Sequence, residues 1–381
     1  MEILSLNPES FGLDISDFSL KIAKLKRKGK FLTLASFGET KIPANLVKEG
    51  EIKDEDSLAK IIKESLSKVK GEKIKTKNVI VSLPEEKAFL QIIQMPKLPL
   101  EDLKSAVIYE AENYIPLPIE EVYLDSQIIN PLKNHLDHYD VLIAALPKKI
   151  VDSYLSCLQK ADLTPLVFEI ESLSICRSLI KNGVSPFPVL LIDFGESRTS
   201  FIIFSGYSVR FTSSISVSSK MITQAIAQAL DIDFEKAEEL KIKYGLNIPE
   251  KIVFRKKSED SQFEKEIMGN EKILENVFPL FNDLTEQIKN CLVYYQTHSF
   301  HEHLPGGRII EKIILSGGGA NLRGLPEFLF QELKVPVELA NPWVNILPEP
   351  LKEVPALPYK ESLKYATALG LALLSINYQP T

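Results

Sequence analysis

Cysteine is scarce in this chain, which has three cysteines among its 381 residues. Cys157, Cys176 and Cys291 lie far apart, and an odd, sparse set is typical of proteins that fold in a reducing compartment rather than of disulfide scaffolds. The first residues also lack a basic segment followed by an apolar core, so we expect no secretory signal. Together these absences predict a cytoplasmic protein.

Long apolar runs and an excess of positive charge are also absent. The most apolar late stretch, residues 365–376, is too short to cross a bilayer, so we expect no transmembrane segment in the chain. A net charge of −6 argues against general nucleic-acid binding. At 381 residues the chain is too long for one compact core, which predicts two lobes.

The stretch from Val189 to Phe204 carries the clearest functional pattern. A continuously apolar run ends at Asp193, a polar turn containing Gly195 follows, and a second β-rich run begins at Thr199, which predicts a hairpin. The first strand should be central and buried, with Asp193 at its carboxyl end, where open α/β sheets bind ligands. Gly195 allows close backbone approach, and the amides and hydroxyls of the turn suit an anion such as phosphate.

The same pattern occurs near the N-terminus, between Phe11 and Lys21. Asp14 ends a short apolar strand, a polar turn follows, and a second strand begins. Two equivalent hairpins this far apart indicate two related lobes that face one cleft. Each hairpin could bring a turn to a polyphosphate and a carboxylate to its metal.

A third pattern follows the apolar run 309–315, which leads into Gly317, Gly318 and Gly319. Such glycines allow a backbone to lie flat against a planar or phosphorylated ligand, although a tight turn alone would also explain them. The order of the two hairpins and this glycine turn is the layout of the superfamily of actin, heat-shock chaperone and sugar-kinase ATPases. The predicted class is therefore α/β with an actin-like ATPase fold, in which each of two lobes is built around a mixed sheet.

The lobes can be delimited along the chain. Ser185-Pro186-Phe187-Pro188 is the strongest linker signal, so lobe I should span residues 1–186 and lobe II residues 187–357, and a last helix at about 358–381 should return to lobe I. A small α+β unit at about 84–162 is predicted as an insert in lobe I. Its helix, Pro99 to Tyr114, has well-marked ends.

Two further segments of lobe II have marked local features. The polar residues 251–270 are predicted to form a mobile connection. The apolar positions of residues 271–297 predict a buried helix, in which Pro279 should cause a kink or a restart.

Five stretches identify a closer resemblance, to the PilM family of actin-like proteins of type IV pilus assembly. The resemblance covers about residues 11–375, and its second stretch falls in the insert, whose position separates the PilM and FtsA kind from actin. The stretches are FGLDISDFSLKIAKL, MPKLPLEDLKSAVIYEAENYIPLPIEEVYLD, IDFGESRTSFIIF, ITQAIAQALDIDFEKAEELKIKYG and LSGGGANLRGLPEFL.

The resemblance implies an ATP site with Mg²⁺. Asp14 and Asp193 would hold Mg²⁺ through water, and Glu171 stands where related ATPases position the attacking water. Phosphoryl transfer needs mainly positioning and charge neutralisation, which such a set could supply. The residues implied in nucleotide binding are Ser16, Asp17, Phe18, Ser19 and Lys21 of the first loop, Gly195, Glu196, Ser197, Arg198 and Thr199 of the second, Ser218 and Ser219 after it, Glu238 and Lys241 at the ribose and adenine, and Gly317, Gly318 and Gly319 at the adenosine.

The chain departs from the family pattern at three places. Ser16 stands where the first loop usually has glycine, and Ser218 and Ser219 stand where a glycine pair is usual. Arg198 replaces a small residue and could pair with a phosphate or simply fill the site. Because a side chain at Ser16 restricts backbone approach to phosphates, the resemblance implies a weak ATPase or a pseudo-ATPase.

The function implied by the resemblance is a cytoplasmic, nucleotide-binding scaffold of the type IV pilus inner-membrane platform. In this family the insert and the neighbouring lobe grip the short N-terminal tail of the membrane protein PilN, so the chain would contact other platform proteins and lie at the membrane through its partner. Two alternatives share the superfamily fold. One is a kinase of a sugar or other small hydroxyl compound, and the other is an FtsA-like filament former at the membrane.

Overall fold

The computed structural model shows two mixed sheets, a smaller antiparallel sheet and the helices that cover them. The residues that it describes are 8–29, 31–130, 137–247, 251–258, 261–268, 270–298, 307–348, 350–351 and 354–377. Within these ranges, no helix combines the length and the apolar character that a membrane span needs. The predicted last helix reaches beyond them, because residues 378–381 lie outside the described part.

The first third of the chain begins with a meander and leads into a helix. Asp54 caps that helix, since its Oδ1 accepts a hydrogen bond from the Ser57 amide at 3.0 Å. In chain order the elements are β1 (Phe11–Ile15), β2 (Ser19–Lys28), β3 (Phe31–Lys41), β4 (Val47–Lys48), β5 (Glu51–Ile52), α1 (Glu55–Ser67), β6 (Lys70–Gly71) and β7 (Asn78–Leu83).

The next elements form the small sheet and then return to the first one. A 3₁₀ turn at Glu85–Lys87 leaves β7 and leads into the small sheet. The elements that follow are β8 (Phe89–Pro96), α2 (Leu100–Ala111), β9 (Val122–Ile129), β10 (His138–Pro147), α3 (Lys148–Lys160), β11 (Thr164–Ile170) and α4 (Glu171–Leu179).

The remaining elements build the second sheet and its helices, and the last helix packs back on the first sheet. They are β12 (Ser185–Phe194), β13 (Thr199–Gly206), β14 (Ser208–Ile215), α5 (Ser219–Leu230), α6 (Phe234–Tyr244), β15 (Lys251–Ser258), β16 (Ser261–Met268), α7 (Asn270–His298), β17 (Lys312–Ser316), α8 (Leu325–Leu333), β18 (Val337–Leu339), α9 (Tyr359–Ser362) and α10 (Ala366–Asn377).

The two large sheets repeat one arrangement. In the first, with strand order β11-β7-β1-β2-β3-β6, β1 lies antiparallel to β2 and parallel to β7. In the second, with order β14-β13-β12-β17-β18, β12 lies antiparallel to β13 and parallel to β17. Both predicted hairpins are therefore present, and each begins with a buried strand that has a parallel neighbour.

The small sheet has its own core but does not include the last helix expected of the insert. Its strands, in the order β8-β10-β9, and α2 bury residues such as Ile93, Leu103 and Ile143 together. Helix α3 instead buries Tyr154 and Leu158 with α1 and the first sheet. The separate unit within the predicted 84–162 region is therefore the three strands with α2, residues 89–147, which we call the insert from here on.

Two local predictions were wrong. Ser185 to Pro188, expected as a linker, are the first residues of β12, and Ser185 pairs with Gly206 of β13 before a bulge. The segment 251–270 was expected as a mobile connection, but its residues 251–258 and 261–268 form the paired strands β15 and β16. Pro279 lies inside the continuous helix α7, so there is no restart there, and the alternative of a kink stays a prediction.

Helices α4 and α10 cross at backbone contact. A Cβ atom at Gly370 of α10 would lie 1.9 Å from the Ser174 carbonyl oxygen of α4, so only glycine fits at this crossing. Gly12 of β1 allows the same helix to lie against the first sheet, because a Cβ there would be 2.6 Å from the Ala368 carbonyl oxygen. Helices α4 and α10 begin at the cleft described next, so their crossing sets the positions of the residues with which they line that cleft.

Candidate functional site

The two hairpin turns face one another across a cleft at the carboxyl ends of β1 and β12. The cleft is also lined by the start of α4, the turn after β17 and the start of α10. The sequence-predicted site residues that line it are Asp14, Ser16, Asp17, Phe18, Ser19, Lys21, Glu171, Asp193, Gly195, Glu196, Ser197, Arg198, Gly317 and Gly318.

The strand-end aspartates have matching environments in the two sheets. The Ser82 hydroxyl at the end of β7 donates to Oδ1 of Asp14 at 2.9 Å, and the Ser316 hydroxyl at the end of β17 donates to Oδ1 of Asp193 at 2.9 Å. In each case the serine comes from the parallel neighbour of the aspartate's own strand. This repetition places two equivalent carboxylates in one cleft, and the two serines were not recognised from the sequence.

Burial affects the titration of both aspartates. Burial raises the pKa of Asp193 from 3.8 to about 6, although the Ser316 hydrogen bond opposes the shift. Burial also raises the pKa of Asp14, against the opposing charge of Lys21, whose Nζ lies 3.8 Å from Oδ2. Two desolvated carboxylates in one cleft favour a cation between them and a ligand.

The first turn is closed by its own side chains. The Ser16 hydroxyl donates to the Ser19 carbonyl oxygen at 3.0 Å, next to the backbone bond from the Ser16 amide to the same oxygen. Lys21 Nζ donates to the Ser19 hydroxyl at 2.7 Å. Asp17 accepts from the Gly50 amide at 3.1 Å. Ser16 therefore stabilises the turn.

The second turn is fixed from both sides. The Gly195 amide donates to the Arg198 carbonyl oxygen at 2.9 Å, and a Cβ at Gly195 would meet that same oxygen at 2.9 Å, so glycine is required there. The Ser219 amide at the start of α5 donates to the Gly195 carbonyl oxygen at 3.0 Å. The Arg198 guanidinium reaches across the cleft, with Nη2 2.9 Å from Oε1 of Glu86.

Glu171 is the first residue of α4 and lies among other carboxylates. Burial raises its pKa well above the usual range, and the charges of Asp14 and Glu86 add to the shift. The neighbouring amide of Ser172 donates to Glu85 Oε2 at 3.3 Å, which caps the start of α4. At neutral pH this environment favours a protonated Glu171 carboxyl group.

The glycine turn mainly serves packing within the protein. Gly317 has a φ of +85°, and a Cβ there would lie 2.5 Å from the Phe194 carbonyl oxygen. A Cβ at Gly319 would lie 2.8 Å from the Phe194 ring, whereas Gly318 has only the Lys364 side chain near it, at 3.8 Å. Gly317 and Gly318 both line the cleft, and of the three glycines Gly318 is the one with room for a side chain.

Six predicted site residues, all within the described ranges, do not line the cleft, and several of them connect the helices behind it. Lys241 is buried and donates to the hydroxyls of Ser219 at 2.7 Å and Thr223 at 2.8 Å, while its Nζ lies 2.7 Å from Glu238 Oε2. Their direct contact with a nucleotide stays a prediction. The six are Thr199, Ser218, Ser219, Glu238, Lys241 and Gly319.

Five charged or polar lining residues were missed: Glu39, Glu86, Ser200, Lys364 and Thr367. Apart from Ser200, none belongs to a recognisable motif, although the acidic pair that follows Pro84 at the end of β7 was a usable signal for Glu86. Lys364 lies 2.6 Å from Glu39 and 2.9 Å from Glu361. Among the described residues, no group of three or more His, Cys, Asp or Glu side chains is placed to hold a metal by itself.

Comparison with known proteins identifies relatives over the whole chain. The family model described as type IV pilus assembly protein PilM matches residues 12–376. A solved structure, the PilM-PilN type IV pilus biogenesis complex, superposes with a TM-score of 0.77 at 27% identity, covering 98% of this chain and 100% of that one. The structure of MreB 5 of Spiroplasma citri bound to AMPPNP has a TM-score of 0.55 at 14% identity, covers 98% of this chain and 97% of that one, and shows the fold alone.

Curated relatives are cell division proteins FtsA. The one from Enterococcus hirae is 28% identical over 214 residues, which are 54% of this chain and 45% of that protein. The one from Streptococcus pneumoniae serotype 2 (strain D39) is 23% identical over 355 residues, covering 87% of this chain and 75% of that protein. The chain thus spans about half the length of the first relative and three quarters of the second. The predicted α/β, actin-like ATPase fold with mixed sheets in two lobes is confirmed.

Proposed function

We propose, from the premise that the chain belongs to the family of the type IV pilus assembly protein PilM, that it is a nucleotide-binding scaffold of a pilus assembly platform. The observation that carries the proposal is the similarity to PilM of the solved PilM-PilN complex along 98% of the chain. We prefer it to the kinase and filament alternatives because this similarity spans the insert as well as both lobes.

The partner that we infer is the tail of a PilN-like membrane protein, because the solved PilM is in complex with PilN. The insert offers a surface for such a tail. Its outer strand β9 forms one edge of the small sheet, where a peptide could add as a further strand. The insert also exposes large apolar side chains, which could seat a tail's apolar residues, namely Leu100, Ile108, Tyr109, Tyr114 and Tyr123. Through this partner the chain would be held at the inner membrane.

Calorimetry with a synthetic tail of a PilN-like protein tests the partner site. We expect saturable binding that Tyr109→Ala or Tyr123→Ala weakens, since both side chains are largely exposed on the insert. Phe330→Ala is the matched control, because Phe330 is an exposed aromatic residue of α8, away from the insert. Equal loss in all three variants, or no binding to the full chain, would refute this assignment.

The ligand that we infer for the cleft is ATP with Mg²⁺. The donor set fits, because carboxylates and hydroxyls are hard oxygen ligands of the kind that Mg²⁺ prefers. Asp14 and Asp193 would hold the ion through water, and the turns at Ser16 and Ser197 would face the phosphates. When bound, Mg²⁺ would supply the positive charge that this carboxylate-rich cleft lacks.

Slow hydrolysis is expected if ATP binds. A base that activates water must be able to accept a proton. Burial and neighbouring carboxylates raise the pKa of Glu171 well above its usual range, so at neutral pH its carboxyl group already carries a proton and is a poor base. The protein would therefore hydrolyse bound ATP slowly, as suits a scaffold.

Titration with ATP and Mg²⁺ tests the cleft. Asp193→Ala should weaken binding, whereas Asp162→Asn should not, because Asp162 lies at the exposed start of β11 and pairs with Lys77. Absence of both binding heat and thermal shift for the unaltered chain at millimolar ATP would overturn the nucleotide assignment and leave the partner assignment standing.

A further inference from the structure

The cleft has an unusual charge arrangement. Three cations line it, and each already pairs with a carboxylate of the same cleft. A bare polyphosphate would therefore meet repulsion first and would have to take a cation from its present partner. The seven lining carboxylates belong to Asp14, Asp17, Glu39, Glu86, Glu171, Asp193 and Glu196.

The three cations differ in how firmly they are held. Lys364 lies between two carboxylates, those of Glu39 and Glu361. Lys21 is shared between the Ser19 hydroxyl at 2.7 Å and Asp14 at 3.8 Å, inside the first turn.

Arg198 is the cation that can change partner most readily. Among the residues that the structure describes, it pairs with one carboxylate, that of Glu86, through Nη2 at 2.9 Å. Moving Arg198 away from Glu86 therefore breaks one ion pair. The guanidinium group that becomes available is planar and can donate to two phosphate oxygens at once.

The surroundings of Glu86, the partner of Arg198, disfavour its charged form. Burial raises the pKa of Glu86, and the nearby Asp17 charge acts in the same direction, while Arg198 opposes both. The side chains of Glu86 and Arg198 are 12% and 21% exposed, so their attraction is only partly screened by water. The pair connects the 3₁₀ turn after β7 with the second hairpin turn and so crosses the cleft.

We propose that Arg198 and Glu86 form a gate at the phosphate end of the cleft, in which the guanidinium leaves Glu86 to bind a phosphate of the nucleotide. Glu86 then determines affinity by competing with the ligand for Arg198. The gate rests on the proposed nucleotide function and adds its specificity-determining residue. It also gives the unusual residue in the second turn a defined role.

Calorimetry with ATP and Mg²⁺ on single and double variants tests the gate. Glu86→Gln removes the competitor, and we expect binding about tenfold tighter, the equivalent of one charge-assisted hydrogen bond released to the ligand. Glu39→Gln is the matched control: it removes one cleft carboxylate, but Lys364 keeps Glu361 as a partner. Its effect should therefore be clearly smaller.

The double variant separates competition for Arg198 from simple repulsion. In an Arg198→Gln background, Glu86→Gln should tighten binding no more than Glu39→Gln does, because no guanidinium is left to release. In the single variant the amide introduced by Glu86→Gln can still accept a hydrogen bond from Arg198, and the double variant leaves neither charge of the pair without its partner.

Each outcome decides the matter. ATP binding by the unaltered chain with no gain in Glu86→Gln overturns the gate and leaves the proposed function intact. A gain that persists without Arg198, or one that Glu39→Gln matches, also overturns it. Failure of the unaltered chain to bind ATP overturns the nucleotide assignment and the gate with it, and leaves the partner assignment standing.

Discussion

Burial of Asp193 makes the stability of the folded protein depend on pH. Its pKa is about 6 in the folded protein against an ordinary value of 3.8, so the folded state binds the proton more tightly and stability falls as pH rises between these values. Asp193→Asn removes this loss and can keep the hydrogen bond from Ser316. We expect the variant to be more stable than the unaltered chain at pH 8, by up to about 3 kcal/mol, with the advantage gone near pH 4.

Urea unfolding in the presence of a chelator, at both pH values, measures this difference. Asp162→Asn is the control with the opposite sign, because Lys77 lowers the pKa of that exposed carboxyl group. An Asp193→Asn variant that is less stable at pH 8 would show that its carboxylate is stabilised rather than strained in the fold.

Residue-level prediction from sequence succeeded where the contacts are local. The turn residues around Ser16 and Gly195 were found because each turn is formed within a few positions. Glu86 and Lys364 were missed because each reaches the cleft through a chain segment far from the turn it faces.

The crossing of helices α4 and α10 leaves no room for a side chain larger than that of glycine. Gly370→Ala would place a Cβ 1.9 Å from the Ser174 carbonyl oxygen, which forces the helices apart. We expect a loss of roughly 2–3 kcal/mol of unfolding free energy, the upper part of the range for overpacked cores. Chemical denaturation measures it.

Gly318→Ala is the matched glycine control for this prediction. A Cβ at Gly318 has its nearest neighbour at 3.8 Å, so stability should change by less than about 0.5 kcal/mol. A loss in Gly370→Ala as small as that in Gly318→Ala would mean that the helices move apart at little cost and that the crossing is loosely packed.

Element boundaries were predictable where periodicity and end signals agree. Helix α2 was expected at Pro99–Tyr114 and is found at Leu100–Ala111. The segment at Ser185 was misjudged because Pro186 and Pro188 indicate a linker, yet they lie in the irregular start of β12, ahead of the regular pairing that begins at Val189. Pro279 was expected to cause a kink or a restart in α7, and the helix continues through it without a restart.

A buried ion pair connects the insert with the second sheet and so helps to hold two parts of the molecule together. Arg210 of β14 lies 3.0 Å from Asp140 of β10, with side chains only 2% and 3% exposed. Arg210→Leu takes the guanidinium away from the buried Asp140 carboxylate, so we expect it to lower the unfolding free energy by roughly 3–5 kcal/mol.

The double variant Arg210→Leu with Asp140→Leu distinguishes pairing from packing. It should recover most of the loss, because neither charge then remains buried alone. Unfolding curves of the single and double variants measure the coupling, and simple additivity would show that the pair does not hold the insert in place.

The two-lobed architecture was predictable because the chain repeats its hairpin, but the docking of the insert was not. The repeat is visible in the sequence as two aspartate-ended strands. Asp140 and Arg210 carry no local pattern that points to each other, and their contact exists only after the insert and the second sheet have folded.

The charge arrangement of the cleft has a consequence for competition in the cell. Because every lining cation is already neutralised by a neighbour, small anions such as free phosphate find no exposed positive site and gain little by entering. A ligand must bring its own cation and make further contacts that offset the loss of the displaced ion pair. Occupancy of the cleft would then depend on the concentration of metal-bound nucleotide and not on the concentration of simple anions.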